Sequence, residues 1–394
     1  MSKRGSIYFF LLPDLDSNQD TQIQNLTYYH YTIGQWDCKY TCLSFYCIAE
    51  IKLQVRRYYC VKSNFLFVNQ GLNSSILYSL ILNTKYVIRN YSSRPISTLI
   101  AYYLKGLKIF FFLRSHLRLS KALKPFNTSG FITAKIYYIY LFKYLSYSFS
   151  TKNKISILTN HYEYFKKNFP YHSLRHIFKD GLKCWSEIKD SNVFEIRLIS
   201  TTPYENEGSL SFVFNMNGET IYRLAFTFSP GSQFGLLDEQ VIYVTRIQGV
   251  KGSLDDISKS SRFFNDNTPP TLLVSALEGM ALSLGIKTIV GISLQNQISY
   301  LVSDKYSFQK NYDEFWKTYE SIKISDGDFL LMLPLQHKGL ALIKSKHRSR
   351  TINKRKVRQD ISRKLYAYFN SNILTGKRIK LSPLRVAREA KATA

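Results

Sequence analysis

Two glycines set close together mark the part of this 394-residue chain that could bind and transform a ligand. They belong to the run Arg246-Ile247-Gln248-Gly249-Val250-Lys251-Gly252, which ends a strand-like segment. Glycine lets the backbone turn at positive φ or approach a ligand closely. Successive backbone N–H groups in such a loop can hold a diphosphate. The candidate ligand-binding residues are therefore Arg246, Gln248, Gly249 and Gly252.

The order of hairpin, strand, glycine loop, helix and strand is similar to that of an acyl-coenzyme A-dependent N-acyltransferase. In this hypothesis the loop holds the diphosphate of a coenzyme A derivative, and Glu207 is the candidate catalytic base. The agreement is partial, because residues 253–270 separate the loop from the helix predicted to begin at Thr271. The second glycine is also displaced by one position from the spacing that is usual in such loops. The alternative is that Glu207 is a surface carboxylate beside a turn.

The cysteines and histidines do not form a recognisable catalytic or metal-binding set. Four of the five cysteines lie in the first sixty residues, without a Cys-x-x-Cys pair or histidines at zinc spacing. His161, His172 and His176 have no catalytic partner near them in sequence, and a histidine among aromatic residues is usually a packed residue. We therefore expect no metal site, no disulfide framework and, outside the acyltransferase hypothesis, no cofactor.

The net charge of +27 and the hydrophobic content of 45% indicate a folded protein with a strong basic bias. One explanation is an anionic partner, such as nucleic acid or a phosphate-bearing lipid. The other is a lysine-rich composition spread over solvated faces, since 30 tyrosines with many Ile, Asn and Lys indicate codons rich in A and T. Composition does not separate these two causes.

The strongest concentration of positive charge begins at Lys344 and contains ten basic residues and one acid up to residue 364. Such a block binds phosphates without sequence selectivity. Aromatic residues that could stack on bases are few and lie at its end, so an anionic membrane surface is the favoured partner, and nucleic acid has no motif in its support. The sequence identifies no protein partner. The candidate residues for anionic-surface binding are Lys354, Arg355, Lys356 and Arg358.

Residues 1–60 are expected to be a non-native or disordered extension without a function. Segments 13–20 and 28–35 look like the translation of the strand opposite a transfer-RNA gene, because Asp16-Ser17-Asn18 can be encoded by the complement of a T-loop sequence. The alternative is a genuine but poorly patterned extension. The apolar run at 6–13 is followed by acids and not by a signal-peptide cleavage site, so we expect a cytoplasmic protein.

Residues 61–190 are predicted to form a helical region. Its apolar stretches at 76–88, 99–117 and 131–149 are interrupted by Lys or Arg, so none reaches the ~18 apolar residues of a membrane span. They are typical of amphipathic helices, which could cover the sheet of the next region or lie on an anionic membrane surface. The helix-like pattern continues from 155 to 189.

Residues 191–345 are predicted to form an α+β domain. A β-hairpin pairs 209–214 with 220–228 around Asn217-Gly218, which suits a tight turn. Apolar and polar residues alternate along the first strand, as expected when one face of the sheet covers a core. One face of the hairpin is predicted to carry Leu210, Phe212, Phe214, Leu224, Phe226 and Phe228.

An α/β unit follows the hairpin. Strands at 240–248 and 287–293 flank a helix at 271–284, and such a crossover normally makes the two strands parallel. The predicted fold class is therefore α+β with a mixed, largely antiparallel sheet, preceded by a helical region. The remaining predicted elements are strands at 194–199 and 329–333 and a basic tail at 346–394, disordered near its end.

Short runs scattered from the first helices to the basic block resemble the VirK/YbjX family of bacterial proteins. The runs are His161-Tyr162, Glu207-Gly208-Ser209-Leu210, 221–228, Ile247-Gln248-Gly249, Tyr312-Asp313-Glu314-Phe315-Trp316, Asp326-Gly327 and Ser345-Lys346-His347-Arg348. The resemblance implies a Gram-negative origin and an accessory role in virulence, envelope stress or resistance to antimicrobial peptides. The basic helices and tail fit a cytoplasmic protein peripheral to the inner membrane, whereas the resemblance supplies no biochemical mechanism.

The chain departs from that family at two places. Residues 267–270 stand where the family tends to carry Gly-Leu-Arg-Pro, and Gln295-Asn296-Gln297 stand where it tends to carry a histidine. Three functions follow as hypotheses: an accessory factor at the cytoplasmic membrane face, an acyl-coenzyme A-dependent N-acyltransferase, and a nonspecific nucleic-acid binder.

Overall fold

The computed structural model describes residues 108–132, 134–201, 206–299, 312–337 and 339–372. The predicted extension 1–60 and the apolar stretch at 76–88 lie outside the described residues. The described part contains one eight-stranded sheet with the spatial order β1-β2-β3-β4-β5-β6-β8-β7. Its strands are β1 (Leu182–Lys189), β2 (Asn192–Ser200), β3 (Leu210–Met216), β4 (Glu219–Ser229), β5 (Val241–Gly249), β6 (Thr288–Gly291), β7 (Ile322–Lys323) and β8 (Phe329–Met332).

Helices cover one face of this sheet. α2 packs against β4, α5 against β3, β4 and β5, and α7 against α5 and β1. The helices of the described residues are α1 (Leu113–Thr128), α2 (Thr151–Asn168), α3 (Tyr171–Lys179), α4 (Leu254–Phe263), α5 (Pro269–Ser283), α6 (312–317) and α7 (Ser345–Asn372).

The structure confirms the predicted hairpin and its buried face. β3 and β4 pair antiparallel with Phe212 opposite Leu224, and the turn places Asn217 and Gly218 at φ of 54° and 89°. The ring of Phe212 lies between those of Phe226 and Phe369, with centroid distances of 5.7 and 6.3 Å. Aromatic pairs of this kind add about 0.5–1.5 kcal/mol each beyond their burial. This aromatic layer fixes the sheet against α7.

The predicted parallel pair is also confirmed. β5 and β6 run parallel, with Ile242 opposite Ile289 and Val244 opposite Gly291. The other strand pairs of the described sheet are antiparallel. The fold class is therefore α+β with a mixed, largely antiparallel sheet that follows a helical region.

The prediction of helix up to Lys189 was wrong in its last part. α3 ends at Lys179, Gly181 takes φ of 76°, and the chain enters β1 at Leu182. Tertiary contacts favour a strand over a helix at residues 182–189, because Trp185 of β1 is buried against the ring of Phe264.

The prediction of an amphipathic helix at 131–149 was also wrong. The described residues there form two short 3₁₀ turns, Ala134–Tyr137 and Ile139–Leu141. Tyr138, Tyr140 and Tyr144 are each almost fully buried, so this segment lacks the solvated polar face of an amphipathic helix.

The segment predicted as a basic tail belongs to the fold as far as Asn372. Ile361, Leu365 and Phe369 recur every four residues along α7 and are buried. α7 lies so close to α5 that a Cβ atom on Gly279 would collide with the carbonyl oxygen of Ser362. The run of charges hid this apolar stripe in the sequence, because basic residues fill the positions between its members.

His161 of α2 is a packed residue, as the sequence indicated. Its ring stacks on Phe228, and its Nδ1 accepts a hydrogen bond of 3.2 Å from the Phe228 N–H. Burial lowers the pKa of His161 to about 3. The imidazole therefore stays neutral in the folded protein at any mild pH.

We predict that His161 makes the fold sensitive to acid. Because its folded pKa lies below the ordinary value of 6.5, its stabilising contribution is present above pH 6.5 and is lost as the pH falls toward 3. The loss is about 1.4 kcal/mol per pH unit in this window. The variant His161→Asn keeps an acceptor near the position of Nδ1 and does not titrate. Between pH 7 and pH 5, its free energy of unfolding should therefore fall less than that of the parent protein. Urea unfolding measures both proteins, and equal acid losses would contradict the assignment.

Candidate functional site

The candidate site lies where β5 and β6 separate. The two strands pair only from Ile242 to Val244, and the last shared hydrogen bond runs 2.9 Å from the Ile292 N–H to the Val244 carbonyl. β5 continues to Gly249 without β6 beside it. Its pairing with β4 is irregular at Thr245, which is inserted between the partners of Phe226 and Ala225. We call the space beside residues 245–249 the β5–β6 crevice.

Glu207 lies beside this crevice, in the segment that leads into β3. Gly208 takes φ of 129° and passes so close to β4 and β5 that a Cβ there would be 3.0 Å from Thr245 Oγ1. The Thr245 hydroxyl donates a 2.6 Å hydrogen bond to the Glu207 carbonyl. These contacts fix the backbone that presents the carboxylate.

The Glu207 carboxylate is buried and only partly paired. Its Oε2 lies 3.0 Å from Arg246 Nη1, and its side chain is 7% exposed. Its Oε1 has no hydrogen-bond partner among the described residues. The alternative of a plain surface carboxylate is therefore wrong for Glu207.

Tyr312 and Gln297 form the other side of the crevice. The Ile247 N–H, freed from strand pairing on that side, donates a 3.2 Å hydrogen bond to the Tyr312 phenol. Burial and the nearby Glu207 charge raise the pKa of Tyr312 far above its usual value, so the phenol stays protonated. Gln297 is 7% exposed and lies close to this phenol, although its Nε2 has no hydrogen-bond partner among the described residues.

Asp328 holds the turn that places Gln297. Its Oδ1 accepts hydrogen bonds from the Ser293 N–H and the Asn296 side chain, both at 2.8 Å, and its Oδ2 accepts one of 2.9 Å from Tyr243. Burial raises the pKa of Asp328, and these hydrogen bonds act in the opposite direction. Asp328 thus ties β5, β8 and the turn after β6 together below the crevice.

The glycine loop opens directly into a helix, because α4 begins at Leu254, two positions after Gly252. Gly252 takes φ of 85°, whereas Gly249 is required by close packing: a Cβ there would be 3.0 Å from Ile257 Cδ1 and 3.3 Å from the Tyr222 ring. The first turn of α4 carries Asp255 and Asp256, whose charge opposes the binding of a diphosphate.

The structure brings together three of the residues singled out in the sequence. Arg246 joins Glu207 to Gln248, since its Nε donates a 2.9 Å hydrogen bond to Gln248 Oε1. Sequence reasoning missed Tyr312, Gln297 and Asp328 as parts of the same site. The only signal for them was indirect, because they fall within or beside runs that carry the family resemblance or its departures.

The four basic candidates lie on α7, away from the crevice-lining strands, and differ in exposure. Lys356 is exposed, and Lys354 and Arg355 are half-buried. Arg358 lies near Glu278 and Tyr319, and burial lowers its pKa. Its side chain is half-buried, like those of Lys354 and Arg355, and its role as a surface-binding residue stays a prediction.

Among the described residues, no helix is long and apolar enough to cross a membrane. No group of three or more His, Cys, Asp or Glu side chains there is arranged to hold a metal ion.

The fold and the crevice define an α+β protein with a mixed sheet and a polar site at its parallel strand pair. A family model described as "Protein of unknown function (DUF535)" matches residues 115–366, and the chain belongs to this family. The same family contains VirK/YbjX, so the resemblance in sequence is confirmed at the level of the family. Comparisons with curated proteins and with solved structures gave no significant match.

We predict that Gly249→Val destabilises the protein more than Gly252→Ala. A side chain at 249 must displace Ile257 and Tyr222, and such overpacking costs ~1–3 kcal/mol. An alanine at 252 meets no heavy atom within 4 Å and suffers only from its left-handed backbone, at about 1 kcal/mol. Thermal unfolding of the two variants checks the order, and a larger loss at 252 would contradict the packing role of Gly249.

Proposed function

We propose that this protein is an acyltransferase that moves an acyl group from a thioester, such as acyl-coenzyme A, onto an amine. The observation that carries the proposal is the buried Oε1 of Glu207, which has no hydrogen-bond partner among the described residues, while the other oxygen is paired with Arg246. A buried carboxylate oxygen without a partner is costly, and a ligand that donates a proton or hydrogen bond removes this cost. The N–H of an amine acceptor is a donor of this kind.

The position of the crevice supports a ligand site. In sheets with parallel strands, ligands bind beyond the carboxyl ends of strands where the direction of connection changes. The described sheet makes that change at β5, which ends an antiparallel series and begins the crossover through α5 to β6. Glu207, Tyr312 and Gln297 converge beside this position.

The proposed reaction uses Glu207 as the base. Its Oε1 takes one proton from the acceptor ammonium, and the amine nitrogen attacks the carbonyl carbon of the thioester to form a C–N bond. The carbonyl electron pair moves onto the oxygen and returns as the C–S bond breaks. The second nitrogen proton passes to the leaving thiolate, which yields an amide and a free thiol, and Glu207 releases its proton to solvent.

Two donors could stabilise the negative charge that develops on the carbonyl oxygen. The Ile247 N–H points to the crevice side of β5, where it now meets the Tyr312 phenol. The phenol keeps its proton because its pKa is raised, so it can donate a hydrogen bond of its own. A thioester carbonyl that replaces the phenol at Ile247 would meet a backbone donor of the kind found in oxyanion sites.

The glycine loop fits the diphosphate of coenzyme A only in part. Its opening into α4 supplies backbone N–H groups, which favour an anion. Asp255 and Asp256 in the first turn oppose one. The thioester is therefore the part of the donor that the site accommodates best, and the affinity for the nucleotide part is expected to be modest.

We predict that Glu207→Gln abolishes transfer without loss of donor binding. The amide keeps the shape of the carboxylate but is not a base, so thiol release from acetyl-coenzyme A with ethanolamine as acceptor should fall by about 100-fold or more. The matched control, Glu219→Gln on the exposed hairpin, should behave as the parent. The double variant Asp255→Asn, Asp256→Asn should bind coenzyme A ~3-fold or more tightly by calorimetry. No binding of coenzyme A by any of these proteins would contradict the proposal.

A second candidate function is an accessory factor on an anionic membrane surface, in line with the likeness to VirK/YbjX. The observation in its favour is the start of α7, where residues 345–350 are exposed on every side. No acid stands in its first turn, although Lys346, Arg348 and Arg350 lie where the helix dipole disfavours cations. An anionic surface would relieve this unfavourable arrangement.

We predict that reversing the charge of Lys346, Arg348 and Lys356 weakens binding to phosphatidylglycerol vesicles. Each such residue contributes about 1 kcal/mol at an anionic surface, and each is exposed, so the fold should be unaffected. The matched control reverses the exposed Lys251, Lys259 and Lys287. Sedimentation that is insensitive to salt and equal for both variants would reject the membrane role, and preference for RNA over vesicles would favour the nucleic-acid alternative.

A further inference from the structure

An open pocket lies where α1 and α2 end and α3 begins. Its volume is about 290 Å³, close to the lower end of the roughly 300–1,000 Å³ that small-molecule sites occupy. Gly130 follows α1 at φ of 68°, and the Phe131 N–H donates a 2.9 Å hydrogen bond back to the Phe126 carbonyl. This turn brings Phe131 to the pocket as one of its walls. We call the space between residues 125–131 and 166–174 the α1–α3 pocket.

The walls of the α1–α3 pocket are apolar and largely aromatic. Phe126 and Phe169 are buried parts of its lining. The Phe131 ring stacks on Phe178 at a centroid distance of 5.2 Å and lies 5.8 Å from the ring of Tyr171. Tyr171 lines the pocket as well, although it is 62% exposed. Protein interiors leave few spaces larger than a water molecule, so an apolar space of this size suits the apolar part of a ligand.

The helices around this apolar space are strongly basic. α1 and α2 each carry four Lys or Arg residues and α3 carries two, whereas Glu163 is the one acid of these three helices. The Glu163 carboxylate lies 2.6 Å from Arg118 of α1. Lys166, one turn after Glu163, is exposed and lines the pocket. The electrostatic potential of these helices therefore favours a ligand with a negative charge.

We propose that the α1–α3 pocket binds a medium-chain carboxylic acid. The chain lies between the aromatic walls, and the carboxylate lies at the rim beside the Lys166 ammonium. Each CH₂ group removed from water should raise the affinity about fourfold. The ion pair at the exposed rim adds less and mainly selects an acid over a neutral ligand. The pocket shares no lining residue with the β5–β6 crevice, so this inference does not depend on the acyltransferase function.

Calorimetric titration of the full chain with octanoate, hexanoate and 1-octanol tests the inference. Octanoate should bind about tenfold more tightly than hexanoate, because hexanoate buries two CH₂ groups fewer. Octanoate should also bind about threefold more tightly than 1-octanol, which has the same chain length but no charge. The affinity for octanoate should fall as salt is added, whereas that for 1-octanol should not fall.

Two variants separate the carboxylate from the chain. Lys166→Glu should weaken octanoate binding about fivefold and leave 1-octanol binding unchanged. Tyr171→Ala should weaken the binding of both, because it removes an apolar wall. The matched control Lys152→Glu reverses an exposed charge about 20 Å away along α2, beyond the Debye length of ~8 Å, and should match the parent. Glu207→Gln, in the crevice, should also leave octanoate binding unchanged.

Lys166 and Tyr171 are exposed, so both variants should fold, and thermal unfolding without ligand checks this. Equal affinities for octanoate and 1-octanol would overturn the proposed acid, as would octanoate binding that Lys166→Glu leaves unchanged. No saturable binding of octanoate, or full binding by a folded Tyr171→Ala protein, would overturn the pocket as the site. Dimerisation of the chain that Tyr171→Ala abolishes would assign the aromatic walls to a second copy and also overturn the proposal.

Discussion

The separation of β5 from β6 after Val244 is the constraint on which the site depends. While the strands are paired, their backbone groups satisfy one another, but beyond Val244 the Ile247 N–H needs another partner and finds the Tyr312 phenol. The irregular pairing at Thr245 turns Arg246 toward Glu207 and lets the Thr245 hydroxyl hold the Glu207 backbone. A single interruption of regular pairing therefore gathers the donor, the base and its cationic partner.

The two faces of the sheet differ in the side chains that they carry. On one face, Phe212 packs against Phe369 of α7, and Phe228 stacks on His161 of α2. The other face and the crevice carry charged groups, which are costly to bury and are tolerated only in fixed partnerships. On this second side, Asp328 anchors the turn of Gln297 to β5 through four hydrogen bonds.

The sequence predicted the elements that depend on residues close together along the chain. Asn217-Gly218 and the alternating Phe residues specified the hairpin, and the strand, helix, strand order specified the parallel pair. β1 was not predicted, because Trp185 packs against Phe264, which is distant in sequence. The buried apolar stripe of α7 was not recognised, because basic residues lie between its members. Glu207 and Arg246 were identified from the sequence. Tyr312 and Gln297 join them only through the fold, and their neighbours in sequence gave no more than the indirect signal of the family resemblance.

The chemical shift of the Ile247 amide measures the central claim most directly. In the free protein this N–H donates to Tyr312, and the proposed thioester carbonyl must take its place. In transverse-relaxation-optimised spectra of deuterated protein, addition of acetyl-coenzyme A is predicted to shift Ile247 and its neighbours at 245–249, and Glu207→Gln should leave that shift in place. An Ile247 resonance that does not move while the residues of α7 shift would contradict the crevice as the ligand site.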